Sequence, residues 1–316
     1  MKVSFITTVL NEEKNILSFL QSVFSQTRLP DEIIIVDGGS SDDTISNIKY
    51  QISKRKLKNL KLIVKRGNRA VGRNEAVKKA KGDIIVCSDV GCILDKKWVR
   101  EIVKPFEKKD VDVVAGFYKG LAKNIFEKSL VPYVLLMPDR VNPKNFLPST
   151  RSMAFKKSIF RKVGGFPQKF SYNEDYVFAK MLKKINAKIV FKKSAIVYWK
   201  PRENLKDAFI MFYKFAMGDI EASIFRPKVL MLLIRYVIMS WFLIYLFYFK
   251  VPFILKTILY ILIVYILWAI WKNYRYVKNW RAFFVLPLIQ FTADAAVLGG
   301  TIFGFLKSLW DTRERR

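Results

Sequence analysis

Asp37, Asp89 and the Glu174-Asp175 pair are the acidic positions of this 316-residue chain best placed to do chemistry. Asp89 follows Ser88 directly after IIVC (84–87), an apolar run that reads as a strand buried on both faces. A carboxylate at the carboxyl end of a central strand stands where open α/β sheets bind ligands; capping of a turn or helix is the alternative use. Asp37 ends a second such run, DEIIIV, inside VDGGSSDDT. Its glycines let the backbone turn sharply beside a ligand, and Ser40 or Ser41 can cap the helix that follows. Glu174-Asp175 opens a helix, where the helix dipole also favours acidic residues. The chain has no histidine, so the commonest metal ligand and acid–base group is missing. Cys87 and Cys92 flank Asp89 and read as buried thiols without a disulfide framework.

These residues need a scaffold, and the pattern supplies one. Strand-like runs at 2–9, 31–36, 60–64, 84–87 and 111–115 alternate with helical spacing, which predicts an α/β fold with a mostly parallel sheet covered on both faces. The stretch 131–138 is apolar and broken by proline, suited to a surface lid or acceptor wall. Short strands are expected at 188–191 and 195–198. Residues 204–226 carry aromatics among charges and read as a helix lying in a membrane interface.

Two spans, about 229–249 and 251–271, are each long enough to cross hydrocarbon. Lys250 and Pro252 make them a tight hairpin, and Arg235 and Lys256 sit where they can snorkel. A third apolar segment, 282–306, is interrupted by Pro287, Asp294 and three glycines, and its basic tail (Arg313, Arg315, Arg316) favours a re-entrant or interfacial segment over a span. The chain is 52% hydrophobic yet carries 56 Lys+Arg against 26 Asp+Glu, a net charge of +30. That pairing fits a membrane protein meeting anionic headgroups or substrates rather than a nucleic-acid binder. Basic residues flanking the hairpin place the N-terminal domain in the cytoplasm. The first apolar run is too short for a secretory signal. The expected organisation is a catalytic domain at 1–203, the interfacial helix at 204–226 and a membrane region at 227–316.

The ordered set TTVLNEE, VDGGSSDDT, GRNEAVKKAKGD, CSDVGC, MAFKKSIFRKVGGF and NEDYVFAKML resembles the family 2 glycosyltransferases over about residues 1–200. The resemblance implies a GT-A fold, Rossmann-like, and an inverting transfer from a nucleotide-diphosphate sugar. It places Thr8, Asn11, Glu12, Asp37 and Gly38 around the base and ribose, and Arg73, Asn74, Ser88 and Asp89 near the diphosphate or sugar. Asp89 matches the first carboxylate of the family's Asp-x-Asp motif, which helps hold Mg²⁺ or Mn²⁺; Gly91 stands in the second place. Trp199 stands where relatives often carry His. Asp175, beside Glu174, matches the general base, which must reach the acceptor hydroxyl. Arg151, Ser152, Lys200, Arg202 and Lys214 are candidates for acceptor or phosphate contacts; a structural salt bridge is the other use of Arg151.

The expected activity is transfer of a single sugar to a lipid or lipid-linked acceptor at the cytoplasmic membrane face. MFYKF at 211–215 lacks most of the motif of processive synthases. Two alternatives stand: transfer to a polyprenyl or dolichyl phosphate itself, and a catalytically inactive membrane scaffold of the same fold.

Overall fold

A computed structural model of the chain describes residues 1–249 and 253–313. Lys250, Pro252, Arg315 and Arg316, on which the expected hairpin turn and basic tail rest, lie outside the described residues. The fold consists of two compact units, one of Met1–Leu121 with Leu135–Lys200 and one of Ala122–Val134 with Pro201–Arg316.

The first unit is built on an eight-stranded sheet. In chain order its elements are β1 (Val3–Val9), α1 (Glu13–Phe24), β2 (Glu32–Asp37), α2 (Thr44–Lys54), β3 (Leu60–Val64), α3 (Arg69–Lys79), β4 (Ile84–Cys87), β5 (Cys92–Leu94), α4 (Trp98–Val103) and β6 (Val113–Gly120). Helix α5 (Ile125–Val134) belongs to the second unit. The first unit then resumes with β7 (Met153–Lys156), α6 (Lys157–Val163), α7 (Glu174–Lys184) and β8 (Ile189–Trp199).

The strand order is β3-β2-β1-β4-β7-β6-β8-β5. Strands β1 to β4 run parallel, so β1, β2 and β4 all end at one edge of the sheet. Every residue of β2 and of β4 is buried, as apolar runs between two helical layers require. The far half of the sheet differs from a mostly parallel one: β7 lies antiparallel between β4 and β6, and β5 is antiparallel to β8. Residues 189–191 and 195–198, from the two strands expected at 188–191 and 195–198, belong to one, β8, whose register against β6 slips between Gly116 and Phe117. Its polar, exposed Lys193-Ser194 marks the irregularity that reads as a break in the sequence.

Packing under α7 sets the position of its N-terminus. Phe155, Phe160, Phe166 and Phe178 form one aromatic cluster, with the Phe166 and Phe178 ring centroids 4.1 Å apart. Phe178 lies one helical turn after Glu174, so burial of its ring fixes where the acidic pair stands.

The second unit holds α5, α8 (Leu205–Glu221), α9 (Pro227–Tyr248), α10 (Ile254–Val277) and α11 (Ala282–Arg313). The segment expected as a lid, 131–138, is in part the end of α5, whose Tyr133 hydroxyl donates to the Leu286 carbonyl at 3.1 Å. Among the described residues three helices are long and apolar enough to cross a membrane: Pro227–Tyr248, Ile254–Val277 and Ala282–Trp310. The third is one continuous helix, in place of the interrupted segment expected. A Cβ at Gly299 or Gly304 would sit 3.1–3.7 Å from Tyr213, Met217 and Ile220, so these glycines let α8 approach α11 closely. Arg235 does not snorkel. Its guanidinium pairs with Asp294 of α11 at 2.7 Å, and Asp294 also accepts from Tyr236, Tyr265 and Gln290.

Candidate active site

The parallel strands deliver their ends to one edge. Loops after β1, β2 and β4 carry Asn11-Glu12, Asp37-Gly38 and Ser88-Asp89 there. The β1 and β2 loops are tied together. Asn11 Oδ1 accepts from Ser41 N at 2.9 Å, and Ser40 Oγ accepts from Asn11 N at 2.9 Å. Glu12 N donates to Thr44 Oγ1 at 2.7 Å. Asp37 is fully buried and accepts from Gly39 N, Ser40 N and Ser40 Oγ at 2.5–2.8 Å. Its carboxylate thus shapes its own loop first. Gly39 there has φ +102°, a region that favours glycine.

Helix α3 brings Arg73 in from beneath. Asn68 caps it, accepting from Val71 N at 3.1 Å. Gly67, with φ +146°, has no room for a Cβ, which would lie 2.8 Å from Val71. Gly72 is equally closed by Thr8, 2.7 Å from such a Cβ, so α3 lies tight against β1. The result is a buried guanidinium. Arg73 is 3% exposed, donates to Asp89 Oδ1 at 2.9 Å and pairs with Glu174, itself 5% exposed.

Asp89 and Asp175 meet at one hydroxyl. Thr150 Oγ1 lies 3.3 Å from Asp89 Oδ2 and 3.5 Å from Asp175 Oδ2. Ser149 Oγ donates to the same Asp175 oxygen at 2.9 Å, and Asp175 Oδ1 accepts from Tyr176 N. Desolvation pushes the Asp89 carboxyl up, but the charges of Arg73, Arg69 and Arg151 outweigh it and hold the group below the usual carboxylate range. Arg73 loses solvation too, yet Asp89, Glu174 and Asp175 around it hold it protonated. Burial pushes the Cys92 thiol up to about 12 and that of Cys87 up as well, so both are inert near neutral pH.

The expected site residues divide accordingly. Asp89, Arg73, Glu174 and Asp175 converge, while Thr8, Asn11 and Glu12 line the edge at the neighbouring strand β1, about 5 Å across the sheet at ordinary strand spacing, and Asp37 and Gly38 stand one strand further at β2. Asn74 is not brought to the carboxylates; its amide brackets the Phe166 backbone at 2.8 and 2.9 Å and locks the turn after α6. Ser88 is buried and donates to the Arg151 carbonyl at 2.7 Å. Ser152 is buried as well, its hydroxyl engaged by Trp98 Nε1 and the Ala195 carbonyl. Lys200 reaches Asn15 and Ser18 of α1. Arg202 and Lys214 belong to the second unit and are exposed there. Ser149, Thr150 and Tyr118 join the site without having been singled out; a hydroxyl pair before Arg151 was the signal available for the first two.

Among the described residues no group of three His, Cys, Asp or Glu side chains is placed to hold a divalent cation. Asp89 is the single carboxylate of its motif, both its oxygens accept hydrogen bonds, and three arginines bear on it. Mg²⁺ and Mn²⁺ favour carboxylate and phosphate oxygens free of competing cations, so this donor set does not suit a metal held chiefly by the protein.

A sheet of this order, with paired loops at β1 and β2 and a carboxylate after β4, defines a GT-A domain. The family model described as "Glycosyl transferase family 2" matches residues 4–164, and the chain belongs to that family. It is 27% identical over 202 residues to the poly(ribitol-phosphate) beta-glucosyltransferase of Bacillus spizizenii, covering 62% of this chain and 31% of that protein. Over 119 residues it is 29% identical to a Methanococcus voltae protein, covering 36% of this chain and 37% of that one. That relative is named dolichyl N-acetyl-alpha-D-glucosaminyl phosphate 3-beta-D-2,3-diacetamido-2,3-dideoxy-beta-D-glucuronosyltransferase. The chain thus spans about a third of the length of these relatives. Among solved structures, a mannosyltransferase of Pyrobaculum calidifontis in complex with GDP-Man and Mn²⁺ shares the fold, with TM-score 0.55 and 18% identity over 70% of this chain and 62% of that one.

Proposed function

We propose that the chain moves one sugar from a nucleoside-diphosphate donor to a lipid or lipid-linked acceptor, with inversion at the anomeric carbon. The observation that carries this is the meeting of Asp89 and Asp175 at Thr150 Oγ1, at 3.3 and 3.5 Å, with Arg73 bridging Asp89 to Glu174. The base and ribose occupy the β1 and β2 loops, where Thr8, Asn11, Glu12, Asp37 and Gly38 offer hydrogen-bonding groups. The diphosphate then extends toward β4.

Asp175 stands on the acceptor side. Its carboxylate takes the proton of the acceptor hydroxyl as that oxygen forms its bond to the anomeric carbon; the bond from that carbon to the phosphate oxygen breaks on the opposite face. Ser149 and Thr150 aim the carboxylate by hydrogen bonding to it. Asp89 orders the sugar and the Thr150 loop, and Arg73 keeps the carboxylates apart without repulsion.

Three helices able to span a bilayer support a membrane-held acceptor, and the basic flanks of the apolar region support a cytoplasmic catalytic domain facing an anionic surface. The dolichyl-linked acceptor in the name of the Methanococcus voltae relative points the same way.

The test is a screen of nucleotide sugars with the purified full chain and total lipid extract, with and without EDTA. One donor is expected to be consumed and its label to enter the lipid fraction in both conditions. No consumption of any donor overturns the activity, and label confined to water-soluble product overturns the lipid acceptor.

A further inference from the structure

Arg151 is a cation at this edge whose charge the mechanism above leaves unused. Its backbone is anchored beside Asp89, since its carbonyl accepts from Ser88 Oγ at 2.7 Å and the preceding Thr150 hydroxyl lies 3.3 Å from Asp89. Its guanidinium carbon lies 5.7 Å from the Tyr118 ring centroid and 5.9 Å from that of Trp199. Among the described residues the guanidinium has these aromatic partners and no ion pair. Aromatic faces orient a guanidinium without spending its N–H donors, which stay available to an anion.

The neighbouring space is open. Trp199 pairs with Cys92 across β8 and β5, and Lys200 N donates to the Gly91 carbonyl at 3.0 Å, so the backbones at Trp199 and Gly91 lie side by side. A Cβ built on Gly91 would meet no atom within 4 Å. Open space at Gly91 and the aromatic-held cation thus share the carboxyl edge of the sheet that carries Asp89. The charge of Arg151 also bears on Asp89 and Cys92, which locates it at this end of β4 and β5.

We propose that Arg151, held on the rings of Tyr118 and Trp199, binds the donor's diphosphate in the space above Gly91 and takes up the negative charge of the departing nucleoside diphosphate. The assignment rests on the donor-site reading above and deepens it: the anion recognised is a nucleoside diphosphate, and the charge comes from a guanidinium. As the sugar–oxygen bond breaks, its electron pair stays on the β-phosphate oxygen. A guanidinium fork can donate two parallel hydrogen bonds to that phosphate.

Binding of UDP, GDP, CDP, dTDP and ADP, and of the corresponding nucleosides, is measured by calorimetry on the full chain in detergent, in EDTA and in MnCl₂. The wild type is expected to bind one diphosphate in EDTA. Arg151→Met is expected to weaken that diphosphate by roughly 10- to 100-fold while the nucleoside binds as before, which also shows that the variant is folded. Arg151→Lys should fall between, because a point charge lacks the planar fork. Unchanged diphosphate affinity in Arg151→Met, or wild-type binding that vanishes in EDTA, overturns the role of Arg151 and leaves the donor site standing. Failure of the wild type to bind any of the diphosphates in either medium overturns the donor site and this assignment together.

Discussion

Replacing Arg73 by Met should do more damage than any other single change in the catalytic unit, and the structure gives the size. The Arg73 side chain is 3% exposed and its partner Glu174 is 5% exposed, whereas Asp89 is 38% exposed. Methionine fills much of the same volume but leaves Glu174 as a buried charge with its counter-ion gone. Removing one partner of a buried pair costs about 3–5 kcal/mol. Asp89 adds less, because it is 38% exposed and keeps the charges of Arg69 and Arg151. For a unit of this size each kcal/mol moves the melting temperature by about 2–4 °C, so a fall of roughly 6–20 °C is expected. The assay is thermal unfolding of the full chain in detergent at neutral pH, followed by far-ultraviolet circular dichroism. Arg73→Met/Glu174→Gln should recover most of the loss, since the second change removes the stranded charge. A single-variant shift below about 3 °C, or a double variant no better than the single, would refute the description of Arg73 as the buried clamp.

Two further outcomes follow from other ionisable groups. Burial pushes the Glu32 carboxyl up, but hydrogen bonds from Ser4 Oγ and the Lys81 amide, with the charge of Lys61, hold it below its ordinary 4.5. Between those values the unfolded chain binds a proton that the folded one does not, so Glu32 stabilises the fold above about pH 4.5 and that contribution is lost on acidification. The melting-temperature gap between wild type and Glu32→Gln should therefore narrow as pH falls below 4.5; a constant gap counts against it. In the second unit, Asp294→Leu strands the Arg235 guanidinium and should cost about 3–5 kcal/mol, with Arg235→Met/Asp294→Leu recovering part of it. Equal stability of the single and double variants in detergent would show that the pair does not hold the helices together.

How much of this was legible follows from the range over which each signal acts. Apolar runs ending in a polar residue identified β3 and β4 at 60–64 and 84–87 and put Asp89 at a strand end, because burial on both faces is a local property of composition. The antiparallel insertion of β7 and the three-residue β5 carry no such signature. Their pairing depends on distant partners, as in Cys87 with Met153, 66 positions on, or Cys92 with Trp199, 107 positions on. Arg73 and Asn74 read as one ligand-binding pair, yet neighbours on a helix point about 100° apart, and Asn74 turns to the Phe166 backbone instead. Arg235 read as a snorkelling residue because Asp294, its partner, lies in another helix 59 positions on. The glycines of α11 read as interruptions until α8 is packed against them.

The most direct measurement is sugar transfer at saturating donor by the wild type and by Asp175→Asn, with donor affinity determined on the same preparations. An amide keeps the size of Asp175 but cannot take the acceptor proton, so turnover should fall about 10²- to 10⁴-fold with donor binding unchanged. Turnover by Asp175→Asn within threefold of the wild type would contradict an inverting transfer with Asp175 as its base.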